Sequence, residues 1–449
     1  MFKEETKNHI RTLDTNKRIN INYKSKDINL LEITSRNKWE HKDKNGISIV
    51  TYSFSQTIPI DYHYYKSNDG NQAYSLNAAQ INQARTAMLA TSDVANIKFI
   101  EAEDGVIANI PIANVLLEGS LGGYAYRPNP GNFSPIFINA NKEKNLAPTQ
   151  SNYGGHVFMH EFGHALGLEH THGSVGLTQQ TSVMSYLSEL HSGAIYGANF
   201  ASTPQLHDIS ALQYLYGTNN RTRIGNTTYG FNSNSNRGYF TATNANDKLV
   251  FCVWDAGGND TFDFSGYHQD QMINLNQGSF SNVGGLIGNV SIALNVAIEN
   301  AIGGSGNDIL IGNQEKNTLT GGDGDDRLYG GKGADHLFGG NGRDIFGYRD
   351  INDSTLNAAD TIYDFETGHD KIDLSDLNGG EVRLVDAITT TGNRRNGHTQ
   401  VAQFYSETSD LTYLMIDFDY TDKTDIVIKL ASKHQLTTHD FISAPLLTA

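Results

Sequence analysis

The chemistry-bearing residues of this 449-residue chain crowd into one run, His160-Glu161-Phe162-Gly163-His164-Ala165-Leu166-Gly167-Leu168-Glu169-His170. On an α-helix, residues four apart share a face, so His160 and His164 can direct imidazole nitrogens at one ion. Glu161 lies one position round, within reach of water at that ion. Gly167 permits a sharp turn, which lets His170 return as a third nitrogen ligand. Three neutral nitrogens suit zinc, leave it positively charged with an open position, and lower the pKa of water there to about 7. Glu161 would take that water's proton and pass it to a leaving amine. Five fixed positions at this spacing arise by chance on the order of once in ten million starts, so coincidence is set aside.

A second constellation repeats every nine residues from Gly303 to Gly347. Its first position is always glycine: Gly303, Gly312, Gly321, Gly330 and Gly339. Further glycines follow at Gly304, Gly306, Gly322, Gly324, Gly331, Gly333, Gly340 and Gly342. The sixth position holds Asp308, Asn317, Asp326, Asp335 and Asp344, and the eighth holds Leu310, Leu319, Leu328, Leu337 and Phe346. This is the nonapeptide pattern of calcium-binding parallel rolls. Glycines allow a tight turn whose carbonyls face a cation, and carboxylates, here with Asp323 among them, supply anionic oxygen. The apolar eighth residue goes inward on a short strand. In the second block Asn313, Glu315 and Asn317 replace the usual Gly, Gly and Asp, which predicts a weak or missing site.

Certain elements must position these groups. A strand is expected over Ile47–Phe54, and an amphipathic helix over Leu76–Ala95 with Ala79, Ile81, Ala84, Met88 and Leu89 at helical spacing. Short strands are expected at Ile97–Phe99, Ile107–Ile112 and Pro135–Ile138. Helices are expected at Gly155–Gly167 and at Thr203–Tyr216, where Gly217 stops the chain. Beyond about residue 220 helical periodicity ends, and Gly, Asn and Asp punctuate short strands. The length exceeds one compact core, and the 45 glycines among 449 residues favour turns and strands. The formal net charge of −16 disfavours a nucleic-acid or anionic-membrane binder. Cys252 is the only cysteine, so no intramolecular disulfide can form, which would ordinarily favour the cytoplasm unless metal ions take over the stapling role in an exported protein. No apolar run reaches the length of a membrane span.

The histidine motif resembles that of the metzincin metallopeptidases. Ser182-Val183-Met184-Ser185-Tyr186 is similar to their Met-turn, which implies that Met184 packs beneath the metal. The chain resembles the serralysin family over most of its length. That resemblance implies an α+β metzincin catalytic domain followed by an all-β parallel β-roll or sandwich domain. It also implies that Tyr186 binds zinc at rest and then swings away to stabilise the oxyanion. Gly122-Gly123-Tyr124-Ala125-Tyr126-Arg127-Pro128 resembles the family's substrate-binding edge strand, whereas Pro204–Gly217 resembles a closing helix of the core to which no chemistry is assigned. Asp255-Ala256-Gly257-Gly258-Asn259-Asp260 resembles an isolated calcium turn, with Asp255, Gly257, Gly258, Asp260 and Glu299 as its ligands. Asn226 stands where the family has Asp, and Ala297 where a threonine is common. Asp360–Leu374 is similar to the family's closing strands. Thr171 replaces a usual proline, and the stretch from His170 to Tyr186 is short for the family, so primed-side preference does not carry over. His172 in that loop is read as a surface residue.

The expected organisation is a propeptide or extension over 1–20 and a protease domain over 21–235. A calcium-binding roll follows over 236–380, with its repeats at 303–347, and then a C-terminal β region with a secretion signal over 381–449. The expected product is a secreted, monomeric zinc endopeptidase with one catalytic Zn2+ and several structural Ca2+. Its partners would be protein substrates, a type I exporter that reads Asp440-Phe441-Ile442-Ser443, and a proteinaceous inhibitor. A calcium-dependent adhesin with a vestigial enzyme domain is the alternative from another class. Intact Glu161, His160, His164, His170 and Tyr186 favour the enzyme, and no Gly-x-Ser-x-Gly elbow supports a lipase.

Overall fold

The computed structural model describes residues 30–35, 37–54, 73–103, 106–129, 133–171, 177–377, 380–388, 398–418 and 424–443. The charged segment 1–20, His172 and residues 444–449 lie outside them.

The N-terminal part is built from β1 (Ser48–Ser53), α1 (Ala78–Val94), β2 (Ile97–Glu101), β3 (Ile110–Val115), β4 (Gly123–Ala125) and β5 (Ile136–Asn139), followed by α2 (Glu143–Leu146), α3 (Tyr153–Ala165) and α4 (Leu206–Tyr216). The strands order as β2-β1-β3-β5-β4. All pairs are parallel except β4, which runs antiparallel to β5 at the edge. Every residue of β3 is buried, as a strand covered on both faces requires. This strand starts later than the apolar run predicts, because Ile107 is exposed and pairing begins only at Ile110.

Helix α1 forms where expected, with Ala84 and Met88 buried and Ile81 packed against the core, but its inner face is shifted in part. Leu89 and Ala79 are exposed, while Gln80, Gln83, Ala84, Ala87, Met88 and Thr91 are buried. Buried Gln80 is fully engaged. It exchanges two hydrogen bonds with Asn114 of β3, at 2.8 and 2.9 Å, and forms a capping box with Asn77. A paired amide can occupy a core position that a hydrophobic pattern assigns to leucine.

The C-terminal part is a two-faced parallel coil. Strands fall at the end of each nonapeptide, at Ile309–Ile311, Thr318–Asp323, Arg327–Tyr329, His336–Asn341 and Ile345–Gly347. They alternate between a ten-stranded and a six-stranded sheet. Parallel partners lie two nonapeptides apart, as in Leu310↔Leu328, Leu319↔Leu337 and Leu328↔Phe346. Two repeats therefore complete one turn of the coil. The eighth-position side chains Leu310, Leu319, Leu328, Leu337 and Phe346 are all buried between the sheets.

The long sheet extends past the repeats at both ends. Thr228–Gly230 pairs in parallel with Thr261–Asp263, ahead of the boundary expected near residue 235. At the other end, Ile426–Ala431 pairs with Asp360–Ile362, so the strands between residues 399 and 431 belong to the same sheet as the roll. One contiguous cluster of buried apolar side chains runs from Ile33 to Phe441. At the junction, Ile195 and Ile287 exchange backbone hydrogen bonds of 2.9 and 3.0 Å. Gly288 O there accepts from both Gln180 Nε2 and Tyr196 Oη. Nearby, Asp93 of α1 is gripped by Arg223 at 2.8 Å, by Arg237 at 2.8 Å and by Tyr239 Oη at 2.9 Å.

Candidate metal centre

Helix α3 carries the first two histidines, and its position is tightly set. Asn152 caps it by accepting from Gly155 N, and every residue after Tyr153 is buried. Two distant groups satisfy carbonyls at the other end: Trp39 Nε1 donates to Ala165 O at 2.9 Å and Tyr216 Oη to Leu166 O at 2.7 Å. Gly167 then takes φ +95°, a conformation that glycine adopts without strain. The chain returns as an extended segment pinned to residues 33–35, with Ser35 N on Gly167 O at 2.7 Å and Glu169 N on Ile33 O at 3.0 Å. That return delivers His170.

His160 Nε2 and His164 Nε2 lie 3.1 and 2.8 Å from His170 Nε2. The remaining nitrogens are occupied: His160 Nδ1 lies 2.8 Å from Val183 O, and His164 Nδ1 lies 2.9 Å from Leu168 O. A carbonyl can only accept, so each Nδ1 carries the proton and each Nε2 turns a lone pair inward. A single proton on His170 cannot satisfy both. Burial, with help from His160, pushes the His164 pKa down to about 3, so it stays neutral. Three imidazole nitrogens converging at this spacing fit a cation. Among the described residues, this is the only group of three or more His, Cys, Asp or Glu side chains placed to hold one metal ion, its ligand atoms all lying within 4.8 Å of one another.

Glu161 is buried and its Oε2 has no hydrogen-bond partner. Burial pushes its pKa up to about 8. It sits against edge strand β4, where a Cβ on Gly123 would meet Glu161 Cγ at 3.4 Å. The Tyr186 ring stacks on His160 at 5.7 Å and lies 4.5 Å from His170, while remaining 60% exposed. Met184 is buried beneath α3, and a Cβ at Gly163 would collide with its sulfur. The structure thus brings together Glu161, Tyr186, Met184 and all three histidines. The orienting carbonyls of Val183 and Leu168 have no sequence signature, because any residue supplies a carbonyl.

The repeat carboxylates form a ladder. Asp308 N donates to Asp326 Oδ1 at 2.7 Å and Asp326 N to Asp344 Oδ1 at 2.9 Å, with Asn317 N on Asp335 Oδ1 at 2.8 Å. Asp360 and Asp370 continue it, accepting from Asp335 N and Asp344 N. Sequence reading misses these two as ladder members because they fall out of the nine-residue phase. Oδ2 of Asp326, Asp335, Asp344 and Asp360 is buried without a partner. Burial pushes Asp326 up to about 8, Asp335 to about 7 and Asp344 to about 6. Gly303, Gly321, Gly330 and Gly339 face these carboxylates so closely that a Cβ would strike Oδ2. Gly322, Gly324, Gly331, Gly333, Gly340 and Gly342 take positive φ, whereas Gly304 and Gly306 do not. Asp323 stands apart, exposed and hydrogen-bonded to Asn341. In the degraded block Asn317 Nδ2 donates to Glu299 O at 2.9 Å and to Asn313 Oδ1 at 3.1 Å, so an amide replaces the anionic oxygen.

The isolated turn also assembles. Gly257 N donates to Asp255 Oδ1 at 2.8 Å, and Glu299 Oε2 accepts from Asp260 N at 2.7 Å. Gly258 packs on Asp260, whose Oδ2 is buried and unpartnered. Burial, together with Asp255 and Glu299, pushes Asp260 up to about 7.

A three-histidine cradle beside a buried, unpaired glutamate and an open sheet edge defines a zinc metalloendopeptidase. Residues 218–443 match the family model "Peptidase M10 serralysin C terminal". The chain is 43% identical over 428 residues to Metalloprotease AprA of Pseudomonas entomophila, covering 89% of this chain and 86% of that protein. It is 42% identical over 417 residues to Serralysin A of Dickeya chrysanthemi, covering 89% and 87%, and 46% identical over 372 residues to Serralysin of Proteus mirabilis, covering 73% and 76%. The chain belongs to the serralysin family.

Proposed function

We propose that the chain is a secreted endopeptidase of metzincin type in which His160, His164 and His170 hold the catalytic zinc. The convergence of three imidazole nitrogens beside the unpartnered Glu161 carries this reading. Zinc there supplies Lewis acidity, which brings water to a pKa of about 7. The chain's own groups do the rest. Among the described residues β4 is the last strand of its sheet, so an extended peptide can add to its edge, and loosely folded proteins make the best substrates. Glu161, dry on one oxygen, accepts the proton of the attacking water and delivers it to the departing amine. Tyr186, whose ring is 60% exposed, would contact zinc at rest and, on turning away, donate to the negative charge that develops on the peptide oxygen.

Calcium at the repeats and at the Asp255–Glu299 turn completes the proposal. Buried Asp oxygens without partners, set among glycine turns, are the donor set that this cation takes. The division at about residue 235 into protease and roll, the exporter and the protein inhibitor belong to the same reading. Among the described residues, no helix is long and apolar enough to cross a membrane.

Casein digestion by the calcium-loaded wild type and Glu161→Ala, with zinc measured in both, tests the mechanism. The expected result is full zinc content in each and a loss of about 10²–10⁴-fold in rate for the variant. Equal rates would rule out Glu161 as the base.

A further inference from the structure

Asp208 lies in the first turn of α4, a helix that the sequence marks only as core. It is 2% exposed, and among the described residues no lysine or arginine pairs with it. Its Oδ2 accepts from Gln205 N at 2.8 Å, which is ordinary helix capping. Capping needs no more than that one bond, yet the carboxylate makes two others, both to the Met-turn. Oδ1 accepts from Ser182 Oγ at 2.7 Å, and Oδ2 also accepts from Val183 N at 2.8 Å. Ser182 Oγ in turn accepts from Met184 N at 3.1 Å, and His207 N reaches Thr181 O at 3.0 Å. The start of α4 thus clamps residues 181–184. Val183 is the link to the metal centre: its N–H is taken by Asp208 and its carbonyl by His160 Nδ1 at 2.8 Å.

We propose that Asp208 is a positioning residue for the metal centre, fixing the Val183 carbonyl that keeps the His160 Nε2 lone pair facing the ion and seating Met184 beneath the cradle. The proposal rests on the zinc-ligand reading above. Ligating histidines are tuned by whatever holds their second nitrogen, and disturbing that partner weakens metal binding by about 10–100-fold. Here the tuning runs through the backbone of one residue, Val183, from a buried carboxylate.

The test uses the full, calcium-loaded chain. Zinc affinity is measured by competition with a chromophoric chelator, and the cobalt-substituted site by its visible d–d spectrum, for wild type, Asp208→Asn and His160→Ala. Asp208→Asn should bind zinc about 10–100-fold more weakly and shift the cobalt spectrum, with calcium affinity unchanged. Wild-type zinc affinity and an unaltered cobalt spectrum in Asp208→Asn would overturn the proposal. If wild type held no stoichiometric zinc, or His160→Ala bound it equally well, the ligand reading itself would fall, and the positioning role with it. Should Asp208→Asn not fold, Ser182→Ala removes one of the three bonds and leaves the carboxylate in place. A several-fold weaker zinc site with calcium affinity unchanged then supports the role, and unchanged zinc affinity overturns it.

Discussion

Tyr186 separates two contributions that the histidines merge. Its ring rests on His160 and near His170, yet it is more than half exposed. A phenol that donates only as charge develops contributes to turnover rather than to substrate affinity. Tyr186→Phe should therefore lower kcat by about 10²–10³-fold, with KM and zinc content close to wild type, as steady-state kinetics and metal analysis would show. At this scale the sequence was legible wherever function depends on local spacing. His160, His164 and the Gly167 return are written within eleven residues, and the structure assembles them. Groups that act on those ligands from a distance were not legible. The Trp39 indole that closes the end of α3 is 126 residues away in sequence. No local pattern carries such a pairing.

At the scale of elements, the C-terminal end of α1 is held by charge. Asp93 is buried with Arg223 and Arg237 around it, a network that joins the first helix to the chain beyond α4. Burial alone would push its pKa up, but the two guanidiniums outweigh that and hold it below the ordinary carboxylate value of 3.8. A depressed folded-state pKa stabilises the fold above the unfolded value, and the contribution is lost as pH falls through the folded one. Acid below about pH 4 should thus loosen this junction. Asp93→Ala leaves two cations facing each other in a dry site and should cost about 3–5 kcal/mol in chemical denaturation. Helix α1 also shows the limit of hydrophobic periodicity. Its existence, its ends and the core positions Ala84 and Met88 were legible, but the rest of its buried face was not. The Gln80–Asn114 pair puts amides where apolar residues were expected, and Leu89 is left in solvent. Nothing in a single sequence marks which polar side chains will find partners across a sheet.

For the whole molecule, the −16 charge is concentrated in function by the roll. Without a cation, the raised pKa values of Asp326, Asp335 and Asp344 mean that the folded repeats hold protons that the unfolded chain would release. A raised folded-state pKa stabilises fully below the unfolded value near 3.8, and that contribution is lost as pH climbs from there through the folded values of about 6 to 8. Chelator-treated protein should accordingly lose thermal stability from about pH 4 to about pH 8, while calcium affinity rises over the same range and binding releases protons to the buffer. Scanning calorimetry and calcium titration in two buffers of different ionisation heat would measure both. The nine-residue phase and the apolar eighth position were legible in sequence and are borne out by the strands. The passage of the long sheet into the antiparallel strands from 399 to 431 was not, because strands without a repeat give no sign of which edge they join. The two-repeat turn of the coil has one further consequence. Successive nonapeptides feed opposite walls, so a gain or loss of one repeat would send every later strand to the wrong wall, while eighteen residues could enter or leave with all neighbours intact. In evolution or engineering, this half of the chain can grow only by even numbers.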